Sequence, residues 1–582
     1  MVYNVVNSYI FIYLNIFFGI LQVCKFTNSE VGFGNAQFPF KSKEYTDEKS
    51  VDYSKKGGGL MSFTIYHTYV PVEGAEIFTV VYLPHEGGKF PTVLHRNPYY
   101  DRHENLSGEE IEAQVAEDPE IKKFIEAGYA FVFQHCRGTG KSTGEMIPYA
   151  NERADSYAIR EWVRNQPFYN GEMFIFGHSY SATVGLISAP FEPDVKGAIL
   201  EAQDVERYNI IYRNGFFKRG LHGGWYMKMY KKKQIRNKNF TNDSYRMLPL
   251  SDLSKTAFGE PSPEFDETLK HPCRDDDFWN SHVGGSDARG ALNNVRIPIL
   301  LVTGFYDIYT GGLFDMWREM DETARSMCTL VVHPFDHSCR GYEQPIDFED
   351  GNPLKNNPQY RIEWCEAARG KCDFPFERGK ITYYKLFDSK WCCDNFDTDT
   401  ENKRITLGEG SVTYKYNPYD PASFNGGLSL NFGGNAWQDE PNLRFDIVSL
   451  FTSKFEEDTY VKGKIGVKLT VSSDCEDTCF YIRLSICKDE GYYGIRDDIN
   501  QISNFSPNYN PGEKIEMTYS LDEHAFVIKK GEKLRIDISS SAFPLFVSHT
   551  NNRGLFSEQR TAKVATNTVY LEKSYVELPV SK

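Results

Sequence analysis

The chain lacks the net positive charge that would favour binding to nucleic acid. Its 582 residues carry a net charge of −15 at pH 7. A nucleic-acid-binding face contacts phosphates with basic side chains, so this balance argues against such a partner. The apolar and charged fractions, 40% and 25%, are typical of a soluble globular protein. They leave a monomer and a homo-oligomer both open.

Motifs that bind metal ions or nucleotide phosphates are also missing. No C-x-x-C pair occurs with matching histidines, which argues against a zinc site. Gly138, Gly140 and Gly144 follow neither the spacing of a Walker loop nor that of a dinucleotide-binding loop, so we interpret them as part of a structural turn. The sequence therefore predicts an activity that uses no metal ion and no organic cofactor.

Long apolar runs are absent after the first two dozen residues. The run from Tyr9 to Leu21 has about the length of the core of a secretory signal peptide and is short for a membrane-spanning helix. No Lys or Arg precedes it, although a signal peptide normally has one. Residues 1–23 are predicted to be a cleaved signal peptide or an uncleaved membrane anchor, with an unusual chain start as the third alternative. The protein is accordingly expected to be secreted or extracellular.

Cysteine, by contrast, is plentiful, with 12 residues. Several lie close together in sequence, and these are Cys365 with Cys372, Cys392 with Cys393, and Cys475 with Cys479 and Cys487. Because a zinc site is disfavoured, disulfide bonds in an oxidising compartment are the better interpretation. Their connectivity cannot be deduced from the spacing.

The chain is too long for a single hydrophobic core, and its patterns divide it into segments. A linker at 24–59 precedes alternating strand and helix patterns at 60–204 and 291–381, which predict an α/β fold with a parallel sheet. An irregular aromatic stretch at 205–290 is predicted to be an inserted helical cap. Short alternating strands at 382–582 predict an all-β domain of the jelly-roll type.

A candidate nucleophile lies at the end of one predicted strand. The apolar run Phe174–Phe176 stops at Gly177, exposes Ser179 and resumes in small residues compatible with a helix. Strand, sharp turn and helix are how an α/β-hydrolase presents a nucleophilic serine. Such a motif also occurs by chance, so it needs partners elsewhere in the chain.

Candidate partners follow two later strands. The apolar run 297–303 leads into Gly304-Phe305-Tyr306-Asp307, and the run 329–333 leads into Pro334-Phe335-Asp336-His337. Asp307 and His337 each lie just past the carboxyl end of a predicted parallel strand, where open α/β sheets place their sites. The order Ser179, Asp307, His337 is the one expected for this fold. Asp315 and Asp336 are weaker candidates for the acid.

The chain resembles a known family, the cocaine-esterase and X-prolyl dipeptidyl-peptidase group of serine hydrolases, over residues 60–575. The similar blocks include Arg96–Tyr99, Arg137–Gly140, Gly177–Tyr180, Gly304–Asp307 and His333–Ser338. The resemblance implies Ser179, Asp307 and His337 as a catalytic triad. It also implies an oxyanion hole formed by the Tyr99 hydroxyl and the backbone N–H of Tyr180. The family's last elbow glycine is replaced here by Ala182, which is still small.

The resemblance implies a serine hydrolase that cleaves carboxylic ester or amide bonds through an acyl-enzyme, with a small ester or a short peptide as substrate. An X-prolyl dipeptidyl-peptidase is the alternative within the family. In the related α-amino-acid ester hydrolases, acidic residues two and three positions after the triad Asp help to bind the substrate's amino group. Tyr309 and Thr310 occupy those positions here, and Asp204 and Glu206 are other candidates for that role. A secreted, non-catalytic binding protein on a hydrolase scaffold is a different class, against which the intact trio argues.

Overall fold

The computed structural model describes residues 63–99, 101–188, 193–229, 247–281, 295–337, 359–427 and 436–582. All of them belong to one compact unit, Ser50–Lys582. The predicted signal or anchor segment at 1–23 and the linker at 24–59 lie outside the described residues.

The first part of the chain forms a ten-stranded sheet with the order β1-β2-β4-β3-β5-β6-β9-β10-β11-β12. The strands from β4 to β11 in this order run parallel, and antiparallel pairs occur only at the two ends. The bounds are β1 Thr64–Val72, β2 Ala75–Leu83, β3 Phe90–Asn97, β4 Ala130–His135, β5 Tyr169–His178, β6 Val195–Glu201, β9 Ile299–Tyr306, β10 Thr329–Asp336, β11 Ile381–Lys385 and β12 Lys390–Asp394.

Burial explains why these strands read as continuous apolar runs in the sequence. Every residue of β4, β9 and β10 is buried, as expected for parallel strands that are covered on both faces. The covering α-helices span Gly108–Glu117, Pro119–Glu126, Glu152–Arg164, Tyr180–Ser188, Thr310–Glu319, Glu322–Met327 and Gln359–Ala368, with a 3₁₀ helix at Asp101–Asn105. The predicted α/β sheet is confirmed.

Short elements make up the described part of the insertion at 205–290. They are α-helices at Arg207–Ile211, Gly224–Met229, Leu253–Phe258 and Pro263–Thr268, a π-helix at Arg219–Gly223, 3₁₀ helices at Leu250–Asp252 and Asp277–Asn280, and the strands β7 Tyr212–Arg213 and β8 Phe216–Phe217. Their aromatic side chains pack on one another, as in the stack of Tyr208 on Tyr212 with ring centroids 5.5 Å apart. The insertion thus shares one apolar cluster with residues of the hydrolase part, among them Tyr180.

The second part of the chain is all-β. One sheet has the order β13-β23-β17-β22-β14, with β20 also paired to β17, and the other has the order β15-β19-β18-β21-β16. Every strand pair in both sheets is antiparallel. The strands are β13 Thr400–Thr406, β14 Ser411–Tyr416, β15 Trp437–Gln438, β16 Val448–Phe451, β17 Thr459–Ser473, β18 Cys479–Lys488, β19 Gly491–Gln501, β20 Ile515–Ile528, β21 Lys533–Ser539, β22 Ala565–Tyr570 and β23 Tyr575–Ser581, with 3₁₀ helices at Ile502–Asn504, Phe556–Glu558 and Leu571–Lys573. An antiparallel all-β domain is confirmed, and the jelly-roll topology stays a prediction.

The first sheet continues past the predicted domain boundary at residue 381. Strand β11 pairs in parallel with β10, and β12 adds to it as an antiparallel edge strand. Leu386, between them, exchanges backbone hydrogen bonds of 3.0 Å with Ala525 and Val527 of β20. The hydrolase sheet therefore ends at Asp394, and the connection to the β domain is a continuous, hydrogen-bonded one.

The insertion at 205–290 also touches the β domain. Arg213 forms ion pairs of 2.8 Å with Asp498 and with Asp522. Backbone hydrogen bonds join Gly220 to Leu545 and Val547 to Phe217. The β domain therefore supports the insertion from the side, which fixes the insertion relative to the sheet.

The predicted disulfide bonds are not formed by the described cysteines, because all ten of these are free thiols. Cys392 and Cys393 are successive residues of a strand, so their side chains point to opposite faces. Cys365 is buried in a helix, whereas Cys372 is exposed. Cys479 is buried and donates to the carbonyl oxygen of Ser540.

Candidate active site

Ser179 occupies a strained turn between β5 and the helix Tyr180–Ser188. Its φ angle is +59°, in the left-handed region that costs a non-glycine residue roughly 1–2 kcal/mol. A Cβ atom on Gly177 would lie 2.2 Å from the carbonyl oxygen of Ser181, so only glycine fits there. The backbone N–H of Ser179 is held by the carbonyl oxygen of Glu201 at 2.8 Å. The turn is thus fixed from both sides, and it presents the serine hydroxyl at the carboxyl edge of the sheet.

Ala182 replaces the last glycine of the family's elbow motif, and the turn accommodates it. Ala182 is completely buried, and its N–H donates to the carbonyl oxygen of Ser179 at 2.9 Å. A methyl group is therefore tolerated where the family has its last glycine.

Asp307 follows β9 directly and is buried. Its Oδ2 accepts from the Thr303 hydroxyl at 3.0 Å, and its Oδ1 accepts from the backbone N–H of Tyr309 at 3.1 Å. Burial opposes ionisation, but attraction to His337 and these hydrogen bonds outweigh it and lower the pKa of Asp307. The carboxylate is consequently ionised and fixed in orientation at neutral pH.

His337 connects the acid to the serine. Its Nδ1 lies 2.9 Å from Oδ1 of Asp307, and its Nε2 lies 2.9 Å from Oγ of Ser179. The strand β10 extends to Asp336, and its register is irregular after His333. His337 therefore lies immediately after the end of the strand. The three residues that the sequence predicted from separate strand ends therefore lie in one continuous hydrogen-bonded row.

The weaker acid candidate Asp315 lies elsewhere. Its carboxylate contacts Lys464 of the β domain at 3.0 Å and Arg318 at 3.3 Å. Asp307 is the acid that contacts His337 Nδ1.

The Tyr99 hydroxyl, one of the two groups predicted to form the oxyanion hole, contacts both the other group and the candidate nucleophile. It accepts from the backbone N–H of Tyr180 at 3.2 Å and donates to Ser179 Oγ at 3.0 Å. Burial is the main cause that raises the pKa of Tyr99, which keeps the phenol neutral and able to donate. Both predicted donors thus lie beside Ser179 and are hydrogen-bonded to each other.

The side chain of Tyr180 has a separate, structural set of contacts. Its hydroxyl donates to Oε1 of Glu152 at 2.8 Å and accepts from the N–H of Tyr149 at 3.0 Å. Glu152 in turn pairs with Arg96 at 2.9 Å, and both are buried. The backbone N–H of Tyr180 therefore faces the Tyr99 hydroxyl, whereas its side chain belongs to the packing below.

The sequence analysis did not assign a role to Arg96 and Glu152. A signal was present, since Arg96 is a charged residue in the buried strand β3, and a buried charge requires a partner. The sequence did not identify the carboxylate that pairs with Arg96, because Glu152 lies 56 residues later in the chain.

Tyrosine and tryptophan rings surround the nucleophile on the side of the insertion. Tyr180 stacks on Tyr149 with centroids 4.4 Å apart and on Trp225 at 5.7 Å. Tyr309 meets His337 edge-on at 5.3 Å. Of these rings, Trp225 belongs to the insertion, and the covering role of the insertion stays a prediction.

The two acidic residues considered for binding an amino group differ in their surroundings. Glu206 forms an ion pair of 2.7 Å with Arg274, so its charge is already compensated. Asp204 is buried, and its Oδ1 accepts from the backbone N–H of Glu206 at 2.8 Å. Burial raises the pKa of Asp204 to about 7, and an ammonium group bound beside it would favour the ionised carboxylate.

Within the part of the chain that the structure describes, no group of three or more His, Cys, Asp or Glu residues is arranged to hold a metal ion. No helix among the same residues is both long enough and apolar enough to cross a membrane.

Two protein-family models match the chain. The model for the X-Pro dipeptidyl-peptidase (S15 family) matches residues 73–339, and the model for the X-Pro dipeptidyl-peptidase C-terminal non-catalytic domain matches residues 393–577. The second match begins at residue 393, within the last two residues of β12.

Individual proteins are also similar to the chain. The cocaine esterase of Rhodococcus sp. (strain MB1 Bresler) is 23% identical over 574 residues, which cover 88% of this chain and 97% of that protein. An aminopeptidase from a marine sediment archaeon, Thaumarchaeota archaeon, superposes with a TM-score of 0.75 at 17% identity and covers 93% of this chain and 100% of its own. An α-amino-acid ester hydrolase superposes with a TM-score of 0.73 at 18% identity and covers 92% and 100%. At these identities the two structures support the fold alone.

Proposed function

We propose that this chain, which belongs to the cocaine esterase and X-prolyl dipeptidyl-peptidase family of serine hydrolases, uses Ser179, His337 and Asp307 as its catalytic triad. The enzyme hydrolyses ester or amide bonds of small-molecule or peptide substrates. The observation that carries the assignment of residues is the pair of 2.9 Å contacts that joins Asp307, His337 and Ser179.

In the proposed first step, Ser179 Oγ attacks the carbonyl carbon of the substrate while His337 Nε2 takes the hydroxyl proton. Asp307 keeps the Nδ1–H tautomer in place and stabilises the imidazolium that forms. The carbonyl oxygen gains negative charge and accepts from the Tyr99 hydroxyl and the Tyr180 N–H. His337 then returns the proton to the leaving group as the bond between the carbonyl carbon and that group breaks.

The second half of the cycle uses the same groups. A water molecule gives its proton to His337 Nε2 and attacks the acyl carbon, and the ester bond to Ser179 Oγ breaks as that oxygen regains a proton. Tyr99 has to change partner in both halves, because its hydroxyl donates to Ser179 in the free enzyme and would donate to the oxyanion in the intermediate.

A carboxylic ester is the first candidate for the substrate. An enzyme that removes amino-terminal dipeptides must hold a charged amino group, and Glu206 is already paired with Arg274. An X-prolyl dipeptidyl-peptidase is the second candidate. It is favoured by one observation, the buried carboxylate of Asp204, which forms no ion pair with any residue that the structure describes.

Hydrolysis of p-nitrophenyl butyrate and of Ala-Pro-p-nitroanilide, each by the wild type and by His337→Ala, separates the two candidates. An esterase is expected to cleave the ester much faster than the anilide and to lose that activity in the variant. Faster cleavage of the anilide would replace the first candidate by the second. Ester hydrolysis that survives His337→Ala would contradict the proposed triad.

We further infer that the protein is exported, on the basis of the apolar run Tyr9–Leu21. Sequencing the amino terminus of the protein from its native source tests this. A terminus after residue 23, or an intact segment in the membrane fraction, would support export by cleavage or by anchoring. An intact terminus on a protein found wholly inside the cell would contradict it.

A further inference from the structure

Arg207 is a buried guanidinium without a partner. It is the first residue of the first helix of the insertion, Arg207–Ile211, and it is 4% exposed. None of its three side-chain nitrogens has a hydrogen-bond partner among the described residues. The other buried arginines near the site differ from it, since Arg96 pairs with Glu152 and Arg361 pairs with Glu201.

Phenols surround Arg207 electrostatically. Its guanidinium interacts with Tyr149, Tyr226 and Tyr180. Neutral phenols do not compensate a full positive charge, and a guanidinium stays protonated even when buried. The charge of Arg207 is consequently desolvated and uncompensated, which is costly in the free protein.

His222 provides a second nitrogen of the same kind. It is 1% exposed, and its Nε2 has no hydrogen-bond partner among the described residues. It interacts electrostatically with Arg207, and burial lowers its pKa well below the ordinary value. A neutral imidazole whose Nε2 carries the proton would add a donor beside the guanidinium.

Both groups interact with aromatic residues that adjoin the candidate active site. Tyr149, which interacts with Arg207, also interacts with Tyr99, and Tyr99 contacts Ser179 Oγ at 3.0 Å. Tyr180 supplies the backbone N–H at the oxyanion position. His222 stacks on Trp225, which lies on the face of Tyr180.

Nearby charged groups already have other partners. Glu206 is compensated by Arg274. Asp204 accepts from the N–H of Glu206, and Lys218 donates to the carbonyl oxygen of Asn209. Within the described residues, Arg207 thus keeps all three of its guanidinium nitrogens without a hydrogen-bond partner.

We propose that Arg207, assisted by His222, binds a carboxylate or another anionic group of the substrate, so that the enzyme prefers esters or amides that carry a negative charge. The proposal rests on the function proposed above and specifies its substrate class. A carboxylate would accept from the guanidinium in a bidentate manner and would offset the desolvated charge. The anionic group sits on the acyl half or on the leaving half of the substrate.

Two matched pairs of esters test the proposal. Mono-p-nitrophenyl glutarate and its methyl ester place a carboxylate, or its neutral counterpart, on the acyl half. The butyrate esters of 4-hydroxybenzoate and of methyl 4-hydroxybenzoate do the same for the leaving half. The wild type is expected to prefer the anionic member of at least one pair in kcat/KM, and the pair concerned identifies the half.

Arg207→Met should lower this preference by about tenfold or more, mainly through KM, because the buried donors are lost. Hydrolysis of the neutral ester should change little. Arg207→Lys should retain part of the preference, since it keeps the charge without the bidentate geometry. Arg274→Met is the matched control, because it removes a cation of the insertion that is already paired with Glu206, and it should leave the preference unchanged.

Thermal unfolding adds a readout that an ordinary structural arginine would not give. Removing an uncompensated buried charge should leave Tm equal to that of the wild type or raise it. If Arg207→Met does not fold, the wild type alone still tests the proposal. The wild type must prefer the anionic ester in at least one of the two pairs.

Equal kcat/KM for the anionic and neutral members of both pairs would overturn the proposal, as would a parallel loss for both members in Arg207→Met. Failure of the proposed function looks different, since neither the neutral nor the anionic esters would then be hydrolysed in a manner that depends on His337.

Discussion

The two walls of the active-site cleft differ in how their polar groups are satisfied. On the wall formed by the sheet, Ser179, His337 and Asp307 contact one another, and Tyr99 joins the row through Ser179. On the wall formed by the insertion, Arg207 and His222 are buried with nitrogens that lack partners in the described part of the protein. One wall is complete without substrate, and the other is not.

This difference separates catalysis from recognition. Groups that are already hydrogen-bonded in the reacting geometry need no reorganisation when the substrate arrives, which favours the chemical step. Unpaired buried donors instead gain most when a complementary group enters. Substitutions on the sheet wall should therefore slow hydrolysis of every ester, whereas those on the insertion wall should change which ester is preferred.

Ser179→Ala should have the largest effect. It removes the nucleophile, and we expect kcat for p-nitrophenyl butyrate to fall on the order of 10⁶-fold. Steady-state hydrolysis, with far-UV circular dichroism as a control for folding, checks this. A folded variant with more than a few per cent of wild-type activity would show that the sheet wall does not supply the nucleophile.

Asp307→Asn should come next. The amide would stabilise the wrong tautomer of His337, and kcat should fall on the order of 10⁴-fold. The matched control is Asp315→Asn, because Asp315 contacts Lys464 and Arg318 instead of His337. If the two variants lost activity equally, Asp307 would not be the triad acid.

Tyr99→Phe should have an intermediate effect. It removes one of the two oxyanion donors and leaves the ring in place, so kcat should fall by about 10²- to 10³-fold with little change in KM. The loss should be similar for the anionic and neutral esters of each pair. A selective loss for the anionic esters would blur the division between the two walls.

Tyr180→Phe should have the smallest catalytic effect, although it removes one hydroxyl group just as Tyr99→Phe does. The backbone N–H at the oxyanion position stays, so kcat should remain near that of the wild type. Glu152 loses a buried donor, and the free energy of unfolding should fall by about 1–3 kcal/mol. Urea denaturation measures this, and a large loss of kcat with unchanged stability would contradict the separation of backbone and ring roles.

The sheet wall could be predicted from the sequence because it depends on local patterns. Ser179, Asp307 and His337 each lie within four residues of the end of an apolar run, and the ends of parallel strands meet at one edge of a sheet. The pattern around Gly177 was sufficient to predict the turn that carries Ser179, since a sharp turn between strand and helix requires small residues.

The insertion wall could not be predicted in the same way. Arg207 lies among ordinary aromatic and polar residues in the sequence, and whether it has a partner depends on side chains that are distant along the chain. The first sheet extends past the predicted boundary at residue 381 for a related reason. β11 and β12 form an alternating, antiparallel edge that looks like the β domain in sequence, yet their pairing with β10 assigns them to the first sheet.

The most direct test of the account is to locate the covalent adduct that a fluorophosphonate forms with the folded protein. Mass spectrometry of the tryptic peptide 165–196, which contains Ser179, should show one adduct on that serine. The adduct should be absent from Ser179→Ala and should decrease when p-nitrophenyl butyrate competes. An unlabelled folded wild type, or an adduct on a different residue, would contradict the assignment of Ser179 as the nucleophile.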